Sequence, residues 1–376
     1  MDVLIVDDKI AEVRPTIEAD DAEVIDAQNL HVFPGFVDMH VHLREPGRED
    51  EETILTGTRA AAAGGFTSVC AMPNTMPVID RATGINYLRS AIHRDGLVNV
   101  YPAAAITLNQ AGEEITEFGD LTRRGAVAFT DDGNCLMNSE IMRRTLEYTA
   151  MLNVPVLDHC EDANLKTDAV INEGRVSMLL GLKGVPTAAE SSIVARDIAL
   201  AEYTGGNIHI QHISARRSVE LVREGKQRGA KVTAEATPHH LALNEEAVLE
   251  FDTNAKVAPP LRSEDDREAV VEGLADGTID VIATDHAPHT DIEKDMVITE
   301  APFGLIGLET AFPVCYNVLV RGEKMDLNTM ISRLTVNPAR ILRLDKGTLS
   351  AGADADVTIV DLNLEKKISR EGFFSK

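Results

Sequence analysis

Two histidines separated by one residue, His40 and His42, are the part of this sequence that points most directly to chemistry. Residues i and i+2 of a β-strand point to the same face, so the two imidazoles would lie side by side. Two neutral imidazoles on one strand face make half of a metal site, and Arg44 adds a fixed positive charge there. The alternative is a pair of histidines on an exposed strand edge, which an isolated His-x-His does not exclude.

Other histidines and aspartates stand where later apolar runs end, and they favour the metal site over the exposed edge. These residues are Asp132, His159, His212, Asp285 and His289, whereas Asp131 is expected to orient the turn after its strand. Four imidazoles and two carboxylates are enough to hold two zinc ions, and zinc lowers the pKa of coordinated water towards neutral pH. Two zinc ions outweigh two carboxylates and one hydroxide in charge. We therefore predict a hydrolytic metal centre suited to an anionic substrate.

Short β-rich apolar runs alternate with helical stretches along most of the chain. The predicted strands are Phe33–Leu43, Thr67–Met72, Val98–Ile106, Ala126–Thr130, Val154–His159, Ile208–Ile213, Lys231–Ala236 and Val281–Thr284. The predicted helices are Glu51–Ala63, Ala82–Arg94, Ser139–Leu152, Ala188–Tyr203, Ala215–Gln227 and Arg267–Ala275. This α/β pattern predicts a (β/α)8 TIM-type barrel with its active site at the C-terminal ends of the strands. A doubly wound open sheet is the alternative, but it would not gather polar residues from so many strand ends.

The two ends of the chain follow a different pattern. Residues 2–6 and 355–361 are short strand-like runs with turn residues, outside the alternation of the barrel. We predict that residues 1–32 and 341–376 form the two parts of a small β-domain and that residues 33–340 form the barrel. Because such a domain should contain more than these few strands, we expect the chain to hold an incomplete version of it.

Composition excludes classes of partner without choosing a substrate. A chain of 376 residues, 44% of them hydrophobic, can bury a large core. No apolar run approaches the roughly 18 residues of a membrane span, and the four cysteines lack CxxC spacing, which suits a reducing cytosol. The net charge of −25 argues against nucleic acid and anionic membranes as partners. We therefore expect a cytoplasmic protein that acts on a small molecule.

Eight short motifs extend over nearly the whole chain. In order they are DMHVHLREPG (38–47), GGFTSVCAMPNTMP (64–77), FTDDG (129–133), HCED (159–162), QHIS (211–214), TPHHL (237–241), ATDHAPH (283–289) and APFGLIGLETAFP (301–313). As a set they resemble the dihydroorotases of the bacterial (class I) type, in the amidohydrolase superfamily. The resemblance implies a zinc-dependent hydrolase of cyclic amides. Such an enzyme reversibly interconverts N-carbamoyl-L-aspartate and L-dihydroorotate in de novo pyrimidine (UMP) biosynthesis.

The resemblance also implies a role for each residue of the predicted metal centre. The metal ligands would be, in chain order, His40, His42, Asp132, His159, His212 and Asp285. The first two histidines would bind one metal and the last two the other, Asp132 would bridge them, and Asp285 would also act as the proton-transferring base. Many relatives carry a carboxylated lysine as the bridge, so Asp132 argues against hydantoinases and dihydropyrimidinases. Because an aspartate is short, we predict one or two Zn²⁺ per subunit.

For the substrate, the resemblance implies a second set of residues. They are His42, Arg44, Asn74 and His289, with the backbone at Phe303 and Gly304 closing over the ring. One position departs from the family pattern, since Ala258 stands where relatives carry a substrate-contacting asparagine. Alanine supplies no amide, so either water or a backbone group replaces it, or substrate binding is weaker.

Two other functions are kept as alternatives. One is a cyclic amidohydrolase of the hydantoinase or allantoinase kind, against which Arg44 argues because a neutral ring needs no carboxylate clamp. The other is a non-catalytic scaffold for aspartate carbamoyltransferase, against which the complete set of predicted metal ligands argues. We also expect a homo-oligomer, with aspartate carbamoyltransferase as a candidate partner of the enzyme itself.

Overall fold

The structure is a computed structural model and describes residues 1–19 and 21–376. Its strands are β1 (Asp2–Val6), β2 (Lys9–Arg14), β3 (His31–Pro34), β4 (Phe36–Val41), β5 (Phe66–Ala71), β6 (Asn99–Ala104), β7 (Ala128–Phe129), β8 (Val156–Asp158), β9 (Ile171–Asn172), β10 (Gly184–Val185), β11 (Ile208–Ile210), β12 (Val232–Ala236), β13 (Val281–Ile282) and β14 (Val357–Val360). Its helices are α1 (Ile54–Ala63), α2 (Ala82–Asp95), α3 (Phe118–Arg123), α4 (Ser139–Leu152), α5 (Ala163–Lys166), α6 (Arg175–Leu180), α7 (Thr187–Thr204), α8 (Arg216–Arg228), α9 (Pro238–Ala242), α10 (Glu264–Asp276), α11 (Asp291–Lys294), α12 (Ala311–Cys315), α13 (Leu327–Leu334) and α14 (Val336–Leu342).

Eight parallel strands form the central sheet and neighbour one another in the order in which they occur along the chain. They are β4, β5, β6, β7, β8, β11, β12 and β13. The sheet closes on itself because His286 bridges to Val41 and its carbonyl accepts a hydrogen bond from the amide of His42 at 2.9 Å. The predicted (β/α)8 barrel is therefore confirmed, and the open doubly wound sheet is excluded.

The barrel strands are buried on both faces. In β5, Val69 and Ala71 belong to a large apolar cluster that also contains residues of the surrounding helices, such as Leu146 of α4. Cys70 and Met72 belong to a separate apolar cluster, because successive side chains of a strand point to opposite faces. The packed sheet is therefore a rigid support for the polar residues at its C-terminal rim.

The first predicted strand, Phe33–Leu43, is wrong in one respect, because the structure divides it at Gly35. The amide of Gly35 donates to the carbonyl of Asp356 at 2.7 Å, and a Cβ there would lie 2.0 Å from Oγ1 of Thr67. This close approach of two segments separates β3 from β4. As a result β3 pairs with β14 in a small antiparallel sheet, while β4 enters the barrel.

The predicted helices are all present, and capping explains where they begin and end. Helix α4 has the predicted bounds because the Asn138 side chain accepts from the amide of Glu140 at 3.0 Å, and Asn153 ends the helix at φ 60°. Helix α10 begins at Glu264 instead of Arg267, because the Ser263 side chain caps it. Among the described residues, no helix has both the length and the apolar character needed to cross a membrane.

Both ends of the chain contribute to a small β-domain beside the barrel. The β1–β2 hairpin meets the C-terminal segment where the amide of Ile10 donates to Ala353 and the amide of Ala355 donates to Asp8, each at 2.9 Å. The C-terminal strand β14 pairs antiparallel with β3. The predicted domain boundaries, 1–32, 33–340 and 341–376, stay predictions.

Candidate metal centre

The six predicted metal ligands meet at the C-terminal rim of the barrel. His40 lies in β4 and His42 directly follows it, while the other four side chains come from the turns after β7, β8, β11 and β13. All six residues are buried: His40, His42, Asp132, His159, His212 and Asp285. Side chains that stand up to 245 positions apart in the chain are thus neighbours in the fold, because every strand of a closed parallel barrel ends at the same rim.

Asp132 occupies the middle of the centre, between two pairs of histidines. Its Oδ2 atom lies 3.3 Å from Nε2 of both His40 and His42. Its Oδ1 atom lies 3.6 Å from Nδ1 of His159 and 3.7 Å from Nε2 of His212. In each of the two groups the three potential ligand atoms lie within 4.8 Å of one another. A carboxylate that faces one histidine pair with each oxygen has the arrangement of a bridging ligand.

Asp285 adds a second carboxylate beside the first pair of histidines. Its Oδ1 atom lies 3.1 Å from Nε2 of His42 and 3.4 Å from Nε2 of His40. The backbone of Asp285 has φ 49°, and that of His212 has φ 30°. Non-glycine residues seldom adopt this left-handed region, and such strain is concentrated at functional sites.

The outward nitrogens of three histidines are held by oxygen acceptors. Nδ1 of His40 lies 2.6 Å from Oε1 of Glu235, and Nδ1 of His42 lies 2.8 Å from Oδ1 of Asn74. Nε2 of His159 lies 3.4 Å from Oε2 of Glu161. A hydrogen on each of these outward nitrogens leaves the lone pair of the other nitrogen directed at the centre. Carboxylate and amide partners of this kind orient histidines that bind metals.

Glu235 is a functional candidate that the sequence interpretation missed. It lies in β12, is fully buried, and its second oxygen lies 3.1 Å from Nε2 of His209. Its Oε1 atom also accepts from the amide of His212 at 3.2 Å. Burial would raise the pKa of this carboxyl, but the neighbouring histidines lower it to about 2. A lone glutamate inside the apolar run of a barrel strand is the signal that could have identified it.

Charges within the centre favour a bound cation. Burial alone would raise the pKa of Asp132, but the positive charge of His40 holds it well below its usual range. The pKa of Asp285 is lowered in the same way, against the effect of burial. Conversely, burial would lower the pKa of His40, yet the carboxylates of Asp132, Glu235 and Asp285 raise it well above its usual value. Carboxylates that draw protons onto imidazoles would exchange those protons for a metal ion.

The residues fit zinc by a further criterion. Oδ1 of Asp132 is buried and has no hydrogen-bond partner among the described residues. An unpaired buried carboxylate oxygen is costly, and a metal ion at that position would satisfy it. Imidazole nitrogens and carboxylate oxygens are donors that zinc takes. The donor set and its geometry therefore suit one or two divalent metals.

The predicted substrate residues lie beside the metal ligands. Nη2 of Arg44 lies 3.4 Å from Nε2 of His289, and the same nitrogen of His289 lies 2.8 Å from the carbonyl of Phe303. Gly304 has φ 139°, and a Cβ there would lie 3.0 Å from the His289 ring, so only glycine lets the loop approach so closely. Asn74 is fixed by His42. The structure thus brings these five predicted residues to one side of the centre.

The segment that carries Ala258 contacts the same loop. The carbonyl of Lys256 accepts from the amide of Gly304 at 2.9 Å. The ammonium group of Lys256 donates to the carbonyls of Ile298 and Ala301, at 2.6 Å and 2.5 Å. Position 258 is therefore two positions along the chain from Lys256, whose backbone contacts the loop at Phe303–Gly304.

Asp131 does not join the ligands. Its side chain accepts from the amides of Ile106 and Thr107, at 2.9 Å and 3.0 Å, and from the Thr107 hydroxyl. It orients the turn after β7 and so positions Asp132.

Comparison with known proteins identifies close relatives. A family model described as Dihydro-orotase-like matches residues 30–218. The dihydroorotase of Pelotomaculum thermopropionicum is 55% identical over 375 residues, which cover 100% of this chain and 88% of that protein. The dihydroorotases of Acetivibrio thermocellus and Geotalea daltonii are each 49% identical, with the same coverage.

Solved structures with the same fold carry other names. The L-hydantoinase (dihydropyrimidinase) of Arthrobacter aurescens superposes with a TM-score of 0.87 at 23% identity, covering 99% of this chain and 85% of that chain. The dihydropyrimidinase of Brevibacillus agri NCHU1002 superposes with a TM-score of 0.86, at the same identity and coverage. At this identity the likeness shows the fold alone.

Proposed function

The chain belongs to the dihydroorotase-like family of cyclic amide hydrolases, and from that premise we propose that it is a zinc-dependent dihydroorotase. It would interconvert N-carbamoyl-L-aspartate and L-dihydroorotate in pyrimidine biosynthesis. The observation that supports this most strongly is Asp132, which faces one histidine pair with each carboxylate oxygen, next to Arg44 and His289. A cationic group for an acidic ring beside ligands for hydrolytic metals is the combination that this reaction needs.

The metal ligands we propose are His40, His42, Asp132, His159, His212 and Asp285. Zinc bound by them would supply a Lewis acid for the ring carbonyl and a water activated near neutral pH. Other side chains of the protein determine how the metal ligands are oriented. Glu235, Asn74 and Glu161 hold the outward nitrogens of three histidines, and therefore keep the ligand geometry fixed during the reaction.

Asp285 is proposed as the group that moves the proton. Its carboxylate faces the first histidine pair, with Oδ1 3.1 Å from Nε2 of His42. In the hydrolytic direction it takes the proton of the attacking water and delivers it to the departing ring nitrogen. In the synthetic direction the same carboxylate takes the proton of the attacking carbamoyl nitrogen and delivers it to the departing oxygen, which leaves as water.

Arg44, Asn74 and His289 are proposed to bind the ring carboxylate, while the backbone at Phe303 and Gly304 closes over the ring. Arg44 and His289 lie 3.4 Å apart, so one carboxylate can contact both side chains. Charge-assisted hydrogen bonds from a guanidinium orient a carboxylate strongly. A neutral hydantoin or allantoin ring has no carboxylate for Arg44 to bind, which disfavours those substrates.

Several further expectations stay predictions. They are the number of metals, a homo-oligomeric state, cytoplasmic localisation and association with aspartate carbamoyltransferase. A purely scaffolding role is disfavoured, because buried, mutually oriented histidines and aspartates cost stability unless they are used.

The test is an assay of the purified protein in both directions, with metal analysis of the same sample. We expect turnover of L-dihydroorotate and N-carbamoyl-L-aspartate that greatly exceeds turnover of hydantoin and allantoin. Chelation should abolish this activity, and zinc should restore it. Full activity in a verified metal-free sample would contradict the hydrolytic mechanism, and faster turnover of hydantoin would contradict the substrate.

A further inference from the structure

Glu51 is a buried carboxylate that contacts both Arg44 and His289, two of the side chains proposed to bind the ring carboxylate. Only 2% of the residue is exposed. Its Oε1 atom lies 2.6 Å from Nδ1 of His289, and its Oε2 atom lies 3.2 Å from Nε of Arg44. One side chain thus contacts both groups at once, with a different oxygen for each.

Two nitrogens of the Arg44 guanidinium make contacts within the site. Its Nε atom lies 3.2 Å from both the carbonyl of Pro288 and the carboxylate of Glu51. Of the two terminal nitrogens, Nη2 approaches His289 at 3.4 Å, and Nη1 and Nη2 together form the end of the guanidinium that a carboxylate would bind. A carboxylate bound by two parallel hydrogen bonds needs two donors at one edge of the guanidinium.

Glu51 also links residues that follow the first and the last strand of the barrel, which are neighbours where the barrel closes. Arg44 follows the first strand of the barrel and His289 follows the last, and they are 245 positions apart in the chain. Long side chains lose rotational freedom about several bonds when they bind a ligand. Because Glu51 holds both groups before the ligand arrives, part of this ordering is already present in the free enzyme.

We propose that Glu51 is the positioning residue that fixes Arg44 and His289 as a pair for the ring carboxylate, and thereby sets the preference for an acidic ring. This inference rests on the proposed function. Glu51 does not touch the substrate or the metals. It acts through the two residues that do contact the substrate, so its loss should weaken binding of acidic ligands more than it slows the chemical step.

The experiment compares Glu51→Gln with Glu293→Gln, a control that removes the same charge nearby. The ligand atoms of Glu51, Glu293 and His289 lie within 4.8 Å of one another, but Glu293 bonds to Arg48 and Thr290. For L-dihydroorotate we expect Glu51→Gln to raise KM about tenfold, as for the loss of one charged hydrogen bond, and to leave kcat within about threefold. Glu293→Gln should stay within about twofold of the wild-type KM.

A double-mutant cycle separates positioning from a general structural effect. In an Arg44→Met background, Glu51→Gln should lower kcat/KM by a smaller factor than in the wild type, because one of the two groups through which it acts is already gone. Metal content and thermal unfolding of each variant are measured in parallel. Glu51→Asp, which keeps the charge but is one methylene shorter, provides a second variant and should also raise KM.

A failure of this inference about Glu51 can be distinguished from a failure of the proposed function. If the wild type does not turn over L-dihydroorotate, the proposed function is wrong and the inference falls with it. If the wild type is active, the role of Glu51 alone is refuted by any of three results. These are a Glu51→Gln KM equal to that of Glu293→Gln, an undiminished effect in the Arg44→Met background, or a wild-type KM for Glu51→Asp.

Discussion

Nδ1 of His40 lies 2.6 Å from Oε1 of Glu235, although the two residues are 195 positions apart in the chain. Both side chains are fully buried, and the same carboxylate reaches His209 with its other oxygen. The contact determines which nitrogen of His40 faces the centre. It also places a buried negative charge behind a proposed metal ligand.

Glu235→Gln should therefore weaken metal binding. The glutamine amide accepts a hydrogen bond from Nδ1 of His40 more weakly than the carboxylate does, and the substitution also removes the negative charge. Loss of such a partner typically costs about 10–100-fold in metal affinity. Zinc affinity measured against a chelator of known strength checks this. Glu190→Gln is the matched control, since Glu190 is also buried but accepts from the amides of Ser214 and Ala215. Equal zinc affinities of the two variants would contradict the role of Glu235.

Asp285→Asn should retain a side chain near the metals but remove the proton acceptor. We expect kcat to fall by about 100-fold or more, as is typical for the loss of a general base. Steady-state kinetics and metal content should be measured on the same preparation. Wild-type kcat in a variant that holds its metal would show that another group moves the proton.

Arg44→Met keeps most of the side-chain stem and deletes the charge. Loss of charge-assisted contacts should weaken transition-state binding of L-dihydroorotate by about 2–4 kcal/mol, measured as kcat/KM. Neutral dihydrouracil should be barely affected. Arg81→Met serves as the control, because Arg81 pairs with Asp80 and its side chain is 57% exposed. Equal losses for both compounds would mean that Arg44 supports the structure and does not bind the carboxylate.

Ala258→Asn tests the position at which this chain departs from its family. If the segment 256–262 reaches the substrate, the asparagine should supply one neutral hydrogen bond, worth about 0.5–1.5 kcal/mol net. We therefore expect KM for L-dihydroorotate to fall several-fold, with a smaller change in kcat. An unchanged or higher KM would show that another group already occupies this place in the pocket.

The ammonium group of Lys294 makes the free energy of unfolding change with pH in the alkaline range. Its ammonium group donates to the carbonyls of Pro302 and Gly304, at 3.1 Å and 2.7 Å, while burial and the charge of Lys256 lower its pKa from 10.5 to about 8. Between these two pH values the unfolded chain retains a proton that the folded protein has released, so this group makes stability rise with pH.

Urea unfolding of the wild type and of Lys294→Met at pH 7.5 and pH 9.5 measures this contribution. The free energy of unfolding of the wild type, relative to the variant, should increase between the two conditions. A constant difference would show that the ammonium group of Lys294 titrates normally in the folded protein.

The sequence by itself determined the elements and pointed to the proposed metal ligands. Strand and helix periodicity, together with caps such as Asn138, are local properties, so the eight strands and α4 could be predicted from neighbouring residues. The proposed ligands His40 and His42 share a strand face for the same reason, and residues at the ends of parallel barrel strands must meet at one rim.

Only the tertiary structure decided which residues support those ligands and where the first strand divides. The contact of Glu235 with His40 and that of Glu51 with His289 join residues 195 and 238 positions apart. Such pairs depend on which strands are neighbours across a closed barrel and on their register, which no local pattern specifies. Gly35 separates β3 from β4 for a similar reason, because the crowding comes from Thr67 and Asp356 on other segments.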